Sequence, residues 1–431
     1  MSEQSTQEKG APSIAQEASR KFRFVIISAG QGGGNIGYTL KSVLPNNPFM
    51  IATNTSSDDL NQLNLPDEQK FKIGGRNVNG AGKNRNLAKN YFKNFQSTNL
   101  QTEQKMGLLD TFIGMYEEVL FHPFQQTVVI VTFSPDGGTG SGLGPMLTTT
   151  LTNYVNTAKS FYYGGKEYQI DDITNSIPRP VVIGLTPKCS LESGAGNHQN
   201  TIECFVDIQK AIDAKIGHFF IADNTLPSNV KYESTKEMYD IINARIAAPL
   251  LKFFGVEMNS SIKCMDMQDK INTLRIHGCS GFMSLDQQNK FQFVIPEGQY
   301  ATRIINMLNY DETNLGEEER KAEETIRRYG MSSVDTISVF FELDKSGLSV
   351  DSMSKDLINS SMIGFFGYKS LNSVIENVRE NLHRIQLAND KKHAVVQENS
   401  TGFSTVEEDA SKLNDRFEQQ AMDNDALLDL F

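Results

Sequence analysis

Two stretches of this 431-residue chain put glycines where a backbone could grip an anion. The first is Gly30, Gln31, Gly32, Gly33, Gly34 and Asn35, with Ile36 and Gly37 completing a GxGxxG spacing. The second is Asp136, Gly137, Gly138, Thr139, Gly140, Ser141 and Gly142. Successive glycines let N–H groups approach an anion with no Cβ in the way. A helix starting directly afterwards adds its dipole and its unpaired N–H donors. The first stretch alone is a weak signal, because a tight structural turn produces it as well. Its dinucleotide reading wants an acid at the end of the next strand; Asn54 and Thr55 stand there, with Asp58 and Asp59 close by. No GxxxxGK[ST] occurs, which disfavours a P-loop NTPase. The second stretch weighs more. Glycines cost a helix start roughly 1 kcal/mol each, and no ordinary structural role calls for so many. Two phosphate loops on one sheet imply a nucleotide gripped along a triphosphate from two sides.

Asp266 and Asp269 form a pair of acids three residues apart. At helical spacing they share a face, and the bland reading is a solvated helix start whose acids complement the dipole. Cys189, Cys204, Cys264 and Cys279 are widely separated with no CxxC pair, so they read as free thiols of a reduced compartment rather than zinc ligands. None of the six histidines stands out as catalytic.

The elements that must position these residues alternate along the chain. Apolar, β-branched runs at 22–28, 49–53, 127–133, 181–186 and 217–224 read as buried strands, with helical spacing at 36–44, about 104–121 and 143–153. That alternation predicts an α/β fold with a parallel sheet, helices on both faces and ligands at the strands' carboxyl ends. Residues 71–86 read as a glycine- and asparagine-rich loop, and 159–178 as a polar hairpin insertion. Residues 232–254 form one long helical pattern that Pro249 could kink. Strand-like runs at 281–285, 291–295 and 336–343 predict a second, smaller α/β domain.

Bulk properties narrow the class. The hydrophobic fraction is 39% and the charged fraction 22%, suited to a globular core. No run approaches a membrane span and the N-terminus lacks a signal-peptide pattern, so no membrane association is expected and the location expected is cytoplasmic. The formal charge of −11 argues against direct nucleic-acid binding. More than half of it sits in 401–431, where Glu407, Glu408, Asp409, Asp415, Glu418, Asp423, Asp425 and Asp429 face only Lys412 and Arg416. Residues 1–20 read as a disordered arm and 391–431 as a flexible acidic tail. The tail ends in Leu427, Leu428, Leu430 and Phe431, either a solubilising end or a docking peptide for an adaptor or a neighbouring subunit.

Taken in order, these pieces resemble the tubulin/FtsZ superfamily, in particular its phage- and plasmid-encoded branch. Gly137–Gly142 is similar to the GGGTGSG signature, and Ala29–Gly37 resembles the family's first phosphate loop. Asn54-Thr55 matches the NT(D/S) loop. Gly80, Ala81, Gly82, Lys83, Asn84 and Arg85 resemble the γ-phosphate loop. Asn224 falls at the ribose-contacting strand end, Asn243 where a central helix presents an asparagine to guanine, and Glu192 in the sugar-side loop. Asp266, Asp269 and Asn272 match a DxxDxxN acidic loop, with Cys264 where FtsZ has asparagine. Asp136 replaces the signature's first glycine, and Gly196 replaces an arginine of FtsZ. A carboxylate beside phosphates is repulsive unless it turns away or binds Mg²⁺.

The resemblance implies a Rossmann-type GTPase domain over 21–230, a central helix at 231–255 and a C-terminal activation domain over 256–390. It implies GTP/GDP and Mg²⁺ as cofactors and a head-to-tail filament of the chain with itself. Asp266 and Asp269 would enter the nucleotide site of the next subunit and polarise the attacking water. The expected function is a cytomotive GTPase that positions phage or plasmid DNA or particles. A non-hydrolysing filament regulator and a dinucleotide oxidoreductase remain open as alternatives.

Overall fold

Six strands in the first part of the chain pair side by side in one sheet, most of them the uninterrupted apolar runs expected of buried strands. The computed structural model describes residues 22–74, 77–93, 117–170, 178–188, 194–224, 226, 231–255, 258–263, 265–285, 291–292, 301–309, 315–330, 333–343 and 362–399. The arm at 1–20, Glu192, Cys189, Cys264 and the acidic 401–431 segment lie outside the described residues. The strands are β1 Phe22–Ala29, β2 Phe49–Asn54, β3 Lys70–Lys72, β4 Gln126–Phe133, β5 Ser160–Tyr163, β6 Lys166–Gln169, β7 Val181–Pro187, β8 His218–Ala222, β9 Met258–Lys263, β10 Gly278–Leu285, β11 Phe291–Gln292, β12 Ala301–Asn309, β13 Ser333–Leu343 and β14 Met362–Tyr368. The helices are α1 Gly30–Val43, α2 Ser57–Asn61, α3 Arg85–Lys93, α4 Gly138–Thr157, α5 Ala195–Asp213, α6 Thr235–Phe254, α7 Met267–Leu274, α8 Leu315–Arg328 and α9 Asn372–Asn399.

One path of strands runs β3-β2-β1-β4-β7-β8-β10-β14-β12-β13-β9, with β11 beside β10 and the β5–β6 hairpin separate. From β3 to β8 every neighbour is parallel. Counting only those strands, the order is 3-2-1-4-5-6, and the reversal between β1 and β4 is where ligands gather in such sheets. Beyond the parallel β8–β10 pair the sheet becomes mixed: β14 is antiparallel to β10 and β12, and β9 is antiparallel to β13. This is the α/β architecture expected, a largely parallel sheet continued by a mixed C-terminal part.

Both sheet faces are covered. β1, β4 and β7 are buried along nearly their whole length, as a parallel sheet requires. One face packs on α4 and α5 through Val129, Val131, Leu147, Leu151, Phe205 and Ile208. The other packs on α1 and α6 through Ile26, Ile130, Ile36, Leu40, Ile246 and Leu250. Helix α6 has Ser234 as its N-cap, runs on through Pro249 and ends at Gly255, whose φ of 76° needs a residue without Cβ strain.

Several expectations shift. The glycine stretches lie largely within helices rather than in loops before them: α1 starts at Gly30 and α4 at Gly138, with Asp136 and Gly137 just ahead of it. The 71–86 segment includes the end of β3 and the start of α3. Of the helix expected near 104–121, residues 117–120 are helical and the earlier ones lie outside the described residues. Helix α9 continues past residue 390 to Asn399. The chain divides into two units at His383/Arg384, and all described residues of the second unit are helical. No helix among the described residues is long and apolar enough to cross a membrane.

Candidate functional site

The carboxyl ends of β1, β2, β4, β7 and β8 open on one cleft of about 390 Å³. That size suits a small-molecule site. Gly30, Gln31, Gly32 and Asn35 line it from α1, and Gly137, Gly138, Thr139 and Gly140 from the start of α4. Asn54 and Thr55 reach it from the end of β2, Gly80, Ala81 and Lys83 from the loop before α3, Asn224 from beyond β8, and Asn243 from α6. Asn197 and Tyr239, which the sequence reading did not single out, also line it, together with Asp59 and the apolar Ile36, Pro187, Ile242 and Ile246.

Neither α1 nor α4 has a side-chain cap at its N-terminus. Their first N–H groups therefore take no side-chain acceptor at the capping residue, at the two places where the dipoles converge. The glycines have a second reason that the sequence did not reveal. A Cβ on Gly30, whose φ is 72°, would meet the Gly140 nitrogen at 2.8 Å. One on Gly140 would meet the Ser134 carbonyl oxygen at 2.8 Å and that of Ala29 at 3.0 Å. The two helix starts are packed backbone to backbone, so the view that the second stretch has no structural role is corrected. Gly33 sits against the β4 backbone, Gly34 against Leu63, and neither lines the cleft.

Side chains lock the loops. The Thr55 and Thr139 hydroxyls are 2.7 Å apart, joining the end of β2 to α4. The Gly80 N–H donates to the Thr55 carbonyl at 3.0 Å. Asn200 of α5 donates its amide to the Lys83 carbonyl at 2.9 Å and the Asp136 carbonyl at 3.1 Å, tying two loops together. The Arg85 guanidinium donates to the Ser141 carbonyl at 3.0 Å and pairs with Glu203 at 3.2 Å and with Asp207. Lys89 also reaches Asp207, at 2.7 Å. Burial pushes the Asp207 carboxyl up, but Arg85 and Lys89 outweigh it and hold the group below its ordinary value. Beside them burial pushes the Cys204 thiol up to about 12, so it is an inert core thiol.

Several expected contact residues are occupied within the protein. Asn54 lines the cleft, yet its amide donates to Asp59 at 3.0 Å and its oxygen accepts from the Ser56 N–H at 3.2 Å. Asn84 accepts from the Leu87 N–H at 3.1 Å at the start of α3, and the Ser141 hydroxyl turns back to the Gly137 carbonyl; with Gly82, neither lines the cleft. The Asp136 carboxylate accepts from the Ser134 hydroxyl. Near Asn224, Asp223 pairs with Lys188 at 3.1 Å and lies 3.9 Å from Arg245. On α6, Tyr239 precedes Asn243 by one turn, so a half-exposed ring and a buried amide share the cleft-facing side.

The acidic pair lies elsewhere. Asp266 is the N-cap of α7, accepting from the Asp269 N–H at 2.8 Å; the two acids are capping residue and first-turn residue rather than neighbours on a helical face. Beyond α7, Arg275 donates to the Arg179 carbonyl at 3.2 Å, just before β7 starts, and Gly278 pairs with His218 at the start of β8. Helix α7 thus sits by the amino ends of the strands whose carboxyl ends hold the cleft. At about 3.3 Å per residue, β7 alone puts roughly 20 Å between the two ends. Among the described residues, no group of three or more His, Cys, Asp or Glu could hold a metal ion.

Solved structures with this fold include TubZ of Clostridium botulinum phage c-st, with 14% identity, TM-score 0.53, and 86% of this chain and 99% of that one covered. The GDP-bound CetZ1 monomer of Haloferax volcanii matches with 18% identity and TM-score 0.56 over 84% of this chain and 99% of that one. A GTPγS-form protofilament of Bacillus thuringiensis serovar israelensis TubZ matches with 12% identity and TM-score 0.56 over 86% and 94%. No protein-family model and no curated protein matches the chain. The fold is the one that these TubZ and CetZ structures share.

Proposed function

We propose that this chain is a GTP-binding protein that polymerises head-to-tail and hydrolyses GTP at the junction between subunits. The observation that carries this reading is the separation of cleft and acids to opposite ends of the same parallel strands. One copy cannot bring Asp269 to its own cleft; a second copy stacked carboxyl end to amino end can. Such a contact is heterologous and propagates into a filament when its rotation does not close a ring.

In this reading the phosphates lie on the N-termini of α1 and α4, with Gly80–Asn84 over the terminal phosphate. Asn243 offers the donor and acceptor that a guanine edge complements, and Tyr239 offers a ring face. Asn224 and the 186–193 segment with Glu192 take the ribose. Mg²⁺ supplies charge neutralisation to phosphoryl transfer and needs only one or two carboxylates beside the phosphates; Asp59, in the cleft lining, fits that need. Asp269 orients the attacking water, and Asp266, through its cap, fixes where Asp269 stands. We assign 21–230 to nucleotide binding, 231–255 to the central helix, 256–390 to activation, and 391–431 to contact with an adaptor or neighbouring subunit. Positioning of phage or plasmid DNA or particles in a bacterial cytoplasm is the role this assembly would serve.

The test is Mg²⁺-dependent GTPase rate against protein concentration, with light scattering on the same samples. A threshold above which turnover and scattering rise together is expected. Turnover proportional to concentration without scattering would mean a self-contained enzyme and would end the split-site reading.

A further inference from the structure

Helix α7 is held from behind by two cations that the proposed reaction does not use. Arg303 of β12 donates from Nη1 to the Thr273 hydroxyl at 2.7 Å and to the Asp269 carbonyl at 3.5 Å. Its Nη2 pairs with Asp335 of the neighbouring strand β13 at 2.5 Å. The Thr273 hydroxyl, fully buried, also donates to the Asp269 carbonyl at 2.7 Å. On the other side, the buried Lys270 ammonium donates to the Phe254 carbonyl at 3.2 Å, in the last residue of α6. That is where a helix end favours a cation.

The geometry points to Arg303 as a positioning residue for Asp269, with Lys270 as its counterpart on α6; this rests on the reading of Asp269 as the acid that orients water. The clamp grips the main chain of Asp269, not its carboxylate. Among the described residues the carboxylate makes no hydrogen bond or ion pair, so it is left to act across the junction. A side chain reaching into another molecule has one rotatable stem, and its accuracy is set by how firmly its backbone is fixed. Arg303 fixes it to the β12–β13 ladder through a planar fork that lysine cannot reproduce. Displacements of about 1 Å at a reacting group can lower a rate about a hundredfold. The fork therefore matters to turnover more than to folding.

The test compares Arg303→Gln, Asp335→Asn and Asp269→Asn singly, with the Arg303→Gln/Asp269→Asn pair, in full-length protein. Turnover is measured per assembled subunit at saturating GTP, beside GDP affinity and melting temperature. Arg303→Gln should lower turnover about tenfold or more at unchanged GDP affinity. Asp335→Asn, which leaves the arginine in place but frees its anchor, should lower it less. In the Asp269→Asn background, Arg303→Gln should add no further loss, because what it positions is gone. Wild-type turnover in both Arg303→Gln and Asp335→Asn, or a further equal loss in the double variant, would overturn the positioning role. Full activity of Asp269→Asn would instead overturn the reading of the acid itself, whatever Arg303 does.

Discussion

Asp136 and Asp266 show how much a carboxylate's role depends on its nearest donor. Asp136 stands in the cleft lining where the resembling signature has glycine, and the Ser134 hydroxyl draws its carboxylate back along the loop. It still places a negative charge near the site proposed for phosphates, so Asp136→Asn should tighten GDP binding. Partial screening limits the gain to about three- to tenfold, read by titration with a fluorescent GDP analogue and shrinking as salt rises. Unchanged affinity at low salt would mean that the carboxylate faces no phosphate. Asp266 and Asp269 separate in the same way. Asp266→Asn keeps a good helix cap, whereas Asp266→Ala should cost about 1 kcal/mol of stability. Asp269→Ala should leave melting and GTP binding near wild type while abolishing turnover and prolonging filament life. Filaments that disassemble at the wild-type rate would remove Asp269 from the chemistry.

Between elements, buried polar contacts set two seams. Arg85 joins α3 to α4 and α5, with its side chain only 6% exposed. Its removal leaves Glu203 with the Gln199 amide alone and Asp207 with Lys89 alone, so Arg85→Ala should cost about 3–5 kcal/mol and loosen Gly80–Asn84 over the start of α4. Denaturant unfolding and GDP affinity measured together report both effects. The β8–β10 seam is held by His218, whose Nδ1 donates to the Ile276 carbonyl at 2.5 Å while Nε2 accepts from the Ser280 hydroxyl at 2.6 Å. Burial pushes this imidazole down to about 4 from 6.5, despite the Ile276 carbonyl. The unfolded chain therefore takes up the proton first as pH falls. Stability should decline between pH 6.5 and about 4 on this account, by about 3 kcal/mol. Asp207 acts in the same direction but lower: its depressed carboxyl contributes stability above 3.8 that is lost as pH falls further. His218→Gln should flatten the upper part of the curve only; an unchanged slope from pH 6.5 to 4 would place the titration elsewhere.

At the scale of the whole molecule, function in the proposed reading belongs to pairs of copies. Asn243→Asp should disable guanine binding and keep the acids; Asp269→Ala should disable the acids and keep the cleft. Each alone should be inactive, yet a mixture should regain turnover wherever the acids of the first meet the cleft of the second. Co-sedimentation without any recovered turnover would show that the acids serve their own chain.

Sequence alone determined the parallel α/β core, because fully buried strands leave uninterrupted apolar runs such as 127–133. It also located most of the cleft lining, since glycines and asparagines at strand ends have few other uses. It missed β12, β14 and α5, whose patterns are less regular and whose identity depends on what they pack against. Tertiary structure decided the rest. It showed that Gly30 and Gly140 are small because two backbones touch, that Asn54, Asn84 and Ser141 spend their polar groups internally, and that Arg85, Asn200, Tyr239 and Arg303 act at a distance in sequence. Above all it placed Asp269 at the opposite end of the strands from the cleft. Spacing along a chain reports which residues share an element; which end of a sheet each element occupies is fixed only when the strands pair.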